Sequence, residues 1–157
     1  MANNMRWRYG DTNPVMVPVE SATVIEAGDL LYHELSAAHP ASKLADQGSQ
    51  SLNQSTFQSS FLGVAMQASP ADSTQSIRVA TTGVFEFPCD AAQFDIGDLI
   101  GAIEDSSGTA LEDQKVVATG SASASIGRCA KQAGAGSVRV LVDIASTIMR
   151  GGVVTAS

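Results

Sequence analysis

Apolar residues fall in short runs along this chain, separated by polar and turn-forming positions. Val15–Glu34 reads VMVPVESATVIEAGDLLYHE, rich in β-branched residues and broken by Pro18 and by Ala27-Gly28-Asp29. That pattern predicts two short strands joined through a tight turn. Phe61–Met66, Ile77–Ala80, Gly83–Phe87 and Val138–Ile144 are further β-branched or aromatic runs with turn residues at their ends, each predicting a strand. Ser36–Ser60 is polar and built from small residues, with Gln-Ser pairs at Gln50, Gln54 and Gln58. It reads as a long polar loop over 36–60 or an extended surface strand, with room for a short helix at Ala41–Asp46. Ser106–Ser125 reads as a second polar loop around Val116-Val117-Ala118. Nowhere does a long window sustain a 3.6-residue apolar stripe with caps at both ends. The predicted fold class is all-β, a small barrel or sandwich.

The chain also echoes itself. Ala27-Gly28-Asp29-Leu30-Leu31 returns as Ile96-Gly97-Asp98-Leu99-Ile100, Leu62-Gly63-Val64-Ala65 as Ile126-Gly127-Arg128-Cys129, and Ser76-Ile77-Arg78-Val79 as Ser137-Val138-Arg139-Val140. The offsets are 69, 64 and 61 residues, so the order is kept while the intervening loops shorten. Three matches in order predict a duplicated β unit. In each unit a Gly-Asp turn launches an apolar strand, because Gly28 and Gly97 tolerate positive φ and Asp29 and Asp98 bond to nearby backbone. Asp29 and Asp98 are therefore read as structural turn residues rather than as paired catalytic carboxylates. A duplication of this kind is expected to close a barrel or sandwich whose halves share one core.

Residues 1–18 form an expected N-terminal arm ahead of a β domain over 19–157. Asn3, Asn4, Gly10, Asp11, Asn13, Pro14 and Pro18 disfavour a helix there. Within the arm, Arg6-Trp7-Arg8-Tyr9 alternates cation and ring, which in a strand sets Trp7 and Tyr9 on one face and both arginines on the other. A frayed terminus is one reading. The other is an arm that docks on a neighbour, since Trp, Tyr and Arg dominate binding hot spots and Trp7 is this chain's single tryptophan. Arg6, Trp7, Arg8 and Tyr9 are the candidate partner-binding residues.

Composition narrows the classes. The chain has 157 residues, 44% of them hydrophobic but only 5% aromatic, and 16% charged, a globular rather than a disordered profile. Its net charge of −7 argues against nucleic acid as a ligand, which calls for clustered Lys and Arg. The imbalance is uneven: residues 1–10 carry Arg6 and Arg8 without an acid, ahead of an acidic body. No apolar run reaches the roughly 20 residues that cross a bilayer, and Met1–Gly10 lacks a signal peptide's apolar centre. A chain made and kept in the cytosol, with no membrane partner, is expected. There Cys89 and Cys129 are read as free thiols rather than a bridge.

No cofactor, metal site or catalytic constellation is expected. His33 and His39 are the chain's two histidines, no Gly-x-Ser-x-Gly elbow is present, and Gly127-Arg128-Cys129 and Gly134-Ala135-Gly136 lack the lysine of a phosphate loop. Glu104-Asp105 and Glu112-Asp113 read as solvated surface.

The ordered pieces Ile25-Glu26-Ala27-Gly28-Asp29-Leu30-Leu31, Phe61-Leu62-Gly63-Val64-Ala65, Gly83-Val84-Phe85-Glu86-Phe87, Ile96-Gly97-Asp98-Leu99, Ser125-Ile126-Gly127 and Val138-Arg139-Val140-Leu141-Val142, behind an extended N-terminal segment, resemble the capsid decoration (cement) proteins of tailed bacteriophages. The resemblance spans most of residues 15–146; Ser36–Ser60 and the tail Thr147–Ser157 exceed the pattern. It implies a protein made in the host cytoplasm that joins the outside of the virion's head. There it clamps neighbouring subunits of the major capsid protein, associates with itself as a homotrimer, and carries no catalytic residues. A head-fibre, tail or baseplate component is the structural alternative. A small hydrolase using His33 or His39 and a carbohydrate-binding module with Trp7, Tyr9 and Tyr32 are rivals from other classes.

Overall fold

In the computed structural model, residues 5–154 are described, so Asn3 and Asn4 of the arm and the end of the C-terminal tail lie outside the described residues. The β-branched runs form strands in two sheets. In chain order the strands are β1 (Arg6–Tyr9), β2 (Val15–Val17), β3 (Leu30–Glu34), β4 (Ala37–Pro40), β5 (Phe61–Ala65), β6 (Ile77–Ala80), β7 (Thr82–Phe94), β8 (Leu99–Glu104), β9 (Leu111–Ala118), β10 (Gly127–Cys129) and β11 (Ala133–Ala145). Helix α1 (Gln50–Ser59) lies between β4 and β5, and α2 (Thr147–Arg150) follows β11. The fold is all-β in architecture, as its sequence pattern predicts.

The first sheet runs β2-β6-β5-β3-β4 and the second β1-β7-β11-β10-β8-β9. In the second, β7 also meets β9 in parallel at Cys89↔Val116, which closes five strands into a barrel. Setting β1 aside, the barrel order β7-β11-β10-β8-β9 repeats the order of the first sheet strand for strand. Even the closure has a counterpart: Val19 bridges Ala38 in parallel, and the Ala38 amide donates to the Pro18 carbonyl at 3.0 Å. The three sequence echoes fall on equivalent strands: the Gly-Asp turns precede β3 and β8, the glycines lie in β5 and β10, and the arginines in β6 and β11. Gly63 and Gly127 are there because strands come too close for a side chain. A Cβ on Gly63 would lie 1.8 Å from the Ala80 oxygen, and one on Gly127 2.2 Å from the Asp143 oxygen.

One shared core was expected; two apolar clusters are found. Val17, Val19, Ile25, Leu31, Leu62, Ala65, Ile77 and Val79 fill the first unit. The larger cluster joins the barrel residues Phe85, Phe87, Phe94, Ile100, Val116 and Val142 to Leu30, Tyr32, Phe61, Val64 and Ala80 of the first unit. The alternation of β side chains produces this division: the cross-strand row Leu30–Val64–Ala80 faces one cluster, while Ala65 and its partner Val79 face the other. The first sheet is thus covered on both faces, which is why Phe61–Ala65 is buried at every position and reads as a continuous apolar run.

The polar loop expected over 36–60 is instead β4, a 3-10 turn at 41–43 and the helix α1. Ser49 caps α1 by accepting from the Leu52 amide at 3.3 Å. The helix was hidden because its inward face carries Asn53, Gln54 and Phe57, one apolar residue beside two amides, while Leu52 points to solvent. The amides are matched by polar partners: Gln54 Nε2 donates to the Ala102 carbonyl at 2.7 Å and Asn53 Nδ2 to Glu104 Oε1 at 2.8 Å. In the loop expected around Val116, strand β9 extends from Leu111 to Ala118 for the same reason, with Gln114 buried among its inward positions.

The arm does not stand apart from the domain at residue 18. Its strand β1 pairs with β7, β2 pairs with β6, and the connection is held by Thr81 N to Thr12 O at 2.8 Å and Thr81 Oγ1 to Asn13 O at 2.7 Å. The reason is the open edge of β7, whose upper part takes β9 and whose lower part takes β1. The C-terminal segment is likewise anchored: Ser146 Oγ donates to the Phe61 carbonyl at 3.2 Å, and Arg128 Nη2 to the Val154 carbonyl at 2.8 Å.

Candidate binding surface

Strand β1 lies at the end of its sheet, with Arg6 across from Glu86, Trp7 across from Phe85 and Tyr9 across from Val84. The register slips between Trp7 and Tyr9, so consecutive residues of β7 face the two rings. The expected placement of both rings on one regular face is therefore interrupted by a bulge at Arg8. All four residues are exposed, Trp7 by 54% and Tyr9 by 52%, which is unusual for large rings next to a core. Arg8 Nη1 stands 3.8 Å from Glu86 Oε2, and Arg139 Nε is 3.1 Å from Glu86 Oε1, so this carboxylate lies between two guanidinium groups.

Behind Trp7 a cavity of about 270 Å³ opens between the two units, lined by Met5, Ala27, Ala65, Met66 and Phe85 with Arg6 also on its wall. The apolar surface continues beyond it. Met16 lies across from Arg78 on neighbouring strands, and the Met66 amide donates to the Arg78 carbonyl at 2.9 Å, giving a row Met16–Arg78–Met66. Met16 is 58% and Met66 38% exposed. Sequence reasoning missed both methionines, because nothing local distinguishes an exposed methionine, whether between the two valines of β2 or just after the buried run of β5, from a core one. A more polar groove of about 540 Å³ lies between β7, β9 and β11, with Lys115 Nζ paired to Asp90 at 2.7 Å and Cys89 in its floor.

The turn residues take matching local geometry. Asp29 Oδ2 accepts from the Glu26 amide at 2.9 Å, and Asp98 Oδ2 from the Asp95 amide at 2.9 Å, with φ of +100° at Gly28 and +86° at Gly97. Their surroundings differ. Asp29 is buried where the units meet, and its Oδ1 accepts from Gln114 Nε2 at 2.9 Å; Gln114 Oε1 in turn accepts from the Met5 amide at 3.2 Å. Burial pushes the Asp29 carboxyl up to about 6, against the pull of the Gln114 and Glu26 hydrogen bonds and with a smaller push from the charges of Asp113 and Glu26.

Two acid pairs expected at the solvated surface instead tie the fold together. Asp113 accepts from Ser42 N at 2.7 Å and Ser42 Oγ at 3.0 Å, its own pKa raised by burial, and Glu104 receives Asn53. Long-range pairing of this kind, across 71 residues for Asp113, leaves no local trace in sequence. His39 is buried and stacked on Tyr32 with ring centres 5.2 Å apart, and His33 is half-buried in β3. Both cysteines are free and buried. Among the described residues no three His, Cys, Asp or Glu side chains converge as a metal site, and no helix is long and apolar enough to cross a membrane.

The sequence profile of phage cement proteins matches residues 40–144, more than half of the chain. The chain belongs to the phage cement protein family. The matched span runs from the end of β4 to near the end of β11, so β1, β2 and β3 precede it. This cement protein is also similar in structure to the head fibre gp8.5 N base of bacteriophage phi29, with 16% identity over 84% of this chain and 94% of that one and a TM-score of 0.46. No curated protein matches the chain. The cement protein is a capsid decoration protein, a structural component of the phage head, from a family of structural rather than enzymatic proteins.

Proposed function

We propose that this cement protein binds the outer surface of the head through Arg6, Trp7, Arg8 and Tyr9 on β1 and holds neighbouring subunits of the major capsid protein in place. The observation that carries this reading is an edge strand presenting two half-exposed rings and two arginines on a chain that is otherwise acidic. A strand or loop of the capsid subunit adds to the open edge of β1, so that backbone hydrogen bonds supply affinity and the rings supply specificity. Self-association as a homotrimer multiplies each weak contact, since an oligomer bound at several points gains avidity without new chemistry.

Because β1 pairs with β7 and carries Met5 to Gln114, removing the arm would disturb the fold as well as the contact. Point changes make the cleaner test. Co-sedimentation of Tyr9→Ala and Arg8→Ala chains with undecorated heads is expected to show binding weaker by about tenfold or more, with melting temperature unchanged within a few degrees. Heads that retain both variants as well as the wild type overturn the assignment. Copy number on virions tests the placement: it should scale with the number of capsid subunits, not with the few vertices, tails or fibres.

A further inference from the structure

The hairpin between β3 and β4 closes with Glu34 paired to Ala37, leaving a two-residue loop of Leu35 and Ser36 with φ of +51° and +64°. Both-positive φ is the pattern of a type I′ turn, which favours Asn and Gly and disfavours a residue with a branched apolar side chain. Leu35 is nevertheless there, 83% exposed, the most exposed of the large apolar side chains described. The duplicated unit supplies an internal control. Its equivalent hairpin, between β8 and β9, turns through polar residues: Gly108 takes a φ of +71°, and Asp105 Oδ1 accepts from Ser107 Oγ at 2.7 Å and from the Thr109 amide at 3.3 Å. The fold can thus close this hairpin with ordinary turn chemistry, and an apolar, strained tip in the first unit points to a contact outside the chain.

The same chain carries a receptor of matching chemistry. The cavity of about 270 Å³ behind Trp7 is lined by Met5, Ala65, Met66 and Phe85, with Arg6 on its wall and Arg78 beside Met66. Leu35 is preceded by the exposed acid Glu34, so an apolar knob with a negative neighbour matches an apolar socket with positive neighbours. Within one copy they cannot meet. Ala27, on the socket wall, precedes β3, whereas Leu35 follows it, and five residues of strand hold the two about 15 Å apart.

We propose that Leu35 of one copy seats in the Trp7 cavity of the next, with Glu34 approaching Arg6. The contact is head-to-tail, so it closes into a ring when the rotation between copies allows. It rests on the self-association part of the reading above and names the residues that make it; with Arg6 and Trp7 framing the socket, the head contact on β1 narrows to Arg8 and Tyr9.

Size measurement by light scattering on the full-length chain tests it. Leu35→Asn removes the knob while keeping a residue that tolerates positive φ, and Ala27→Phe fills the socket. Each alone is expected to weaken self-association by at least about tenfold, with a melting curve that shows the chain folded. Mixed in equal amounts, the two should form one-to-one dimers and nothing larger, because only one knob–socket pairing survives. Leu35→Asn chains that keep the wild-type size overturn the contact, as does a mixture that stays monomeric. If Leu35→Asn keeps its size and loses only head binding, the knob belongs to the capsid contact instead. A wild type that is monomeric at every concentration overturns self-association altogether, whereas loss of head binding by Tyr9→Ala with size intact leaves this contact standing.

Discussion

The first and second β units share a strand order, a parallel closure and three sequence echoes, yet they are used differently. Asp29 and Asp98 make the same turn bond at the same 2.9 Å, but Asp29 is sealed between the units against Gln114 while Asp98 stays near solvent. Between the third and fourth strands of the repeat, the first unit holds the ten-residue helix α1 where the second has only a 3-10 turn at 122–124, and the two inserts pack on each other. The hairpin tips diverge as well, an exposed Leu35 against a bonded Asp105–Ala110 loop. A local motif therefore specifies backbone geometry, while its energetic role comes from what the rest of the chain lays against it.

Glycine substitution strikes hardest at what the two units have in common. Gly63→Ala is expected to destabilise by on the order of 4 kcal/mol and Gly127→Ala by somewhat less, because the added carbon meets a carbonyl oxygen at 1.8 Å in one case and 2.2 Å in the other. Thermal or denaturant melting measures both. If either change costs under about 0.5 kcal/mol, close strand approach is not what those glycines provide.

A subtler contrast lies in pH dependence. In the folded chain Asp29 holds its proton up to about pH 6, against an ordinary value of 3.8. The folded state therefore binds more protons between those values, and stability falls as pH rises through that window, then levels off above it. The loss amounts to about 2–3 kcal/mol at most. Asp113, also raised by burial, lies nearby and adds to the same slope. Asp29→Asn should flatten most of it, read from denaturant midpoints between pH 4 and pH 7. A slope that survives this change in full would contradict the burial argument.

A still smaller change is expected at the hairpin tips. Leu35→Asn should stabilise a single copy by roughly 0.5–1 kcal/mol, since Asn accepts positive φ more readily than Leu. Destabilisation would mean that Leu35 packs within its own chain.

Much of the strand pattern could be read directly. Alternation and turn residues place β3, β5, β6, β7 and β11, and the repeat of Gly-Asp turns announces the duplication before any coordinate is known. What could not be read are the elements whose inward positions are polar. Asn53, Gln54 and Gln114 are buried, and they look like loop residues until the carbonyl and carboxylate that receive them are in view. The arm shows the same limit. Arg6-Trp7-Arg8-Tyr9 is visible as a cluster of hot-spot residues, but only the open edge of β7 decides that it folds back as β1.

Amino-acid order was enough to set the local events: where strands start, where Gly and Asp turn the chain, and that one β unit occurs twice. Partners were settled only on folding: which edge β1 takes, which face of the first sheet joins which cluster, and which of two like aspartates is shielded from water. The division follows from range. Backbone torsions and turn bonds involve residues a few positions apart, whereas burial, long-range hydrogen bonds and electrostatic shielding depend on residues that are neighbours only in the folded chain.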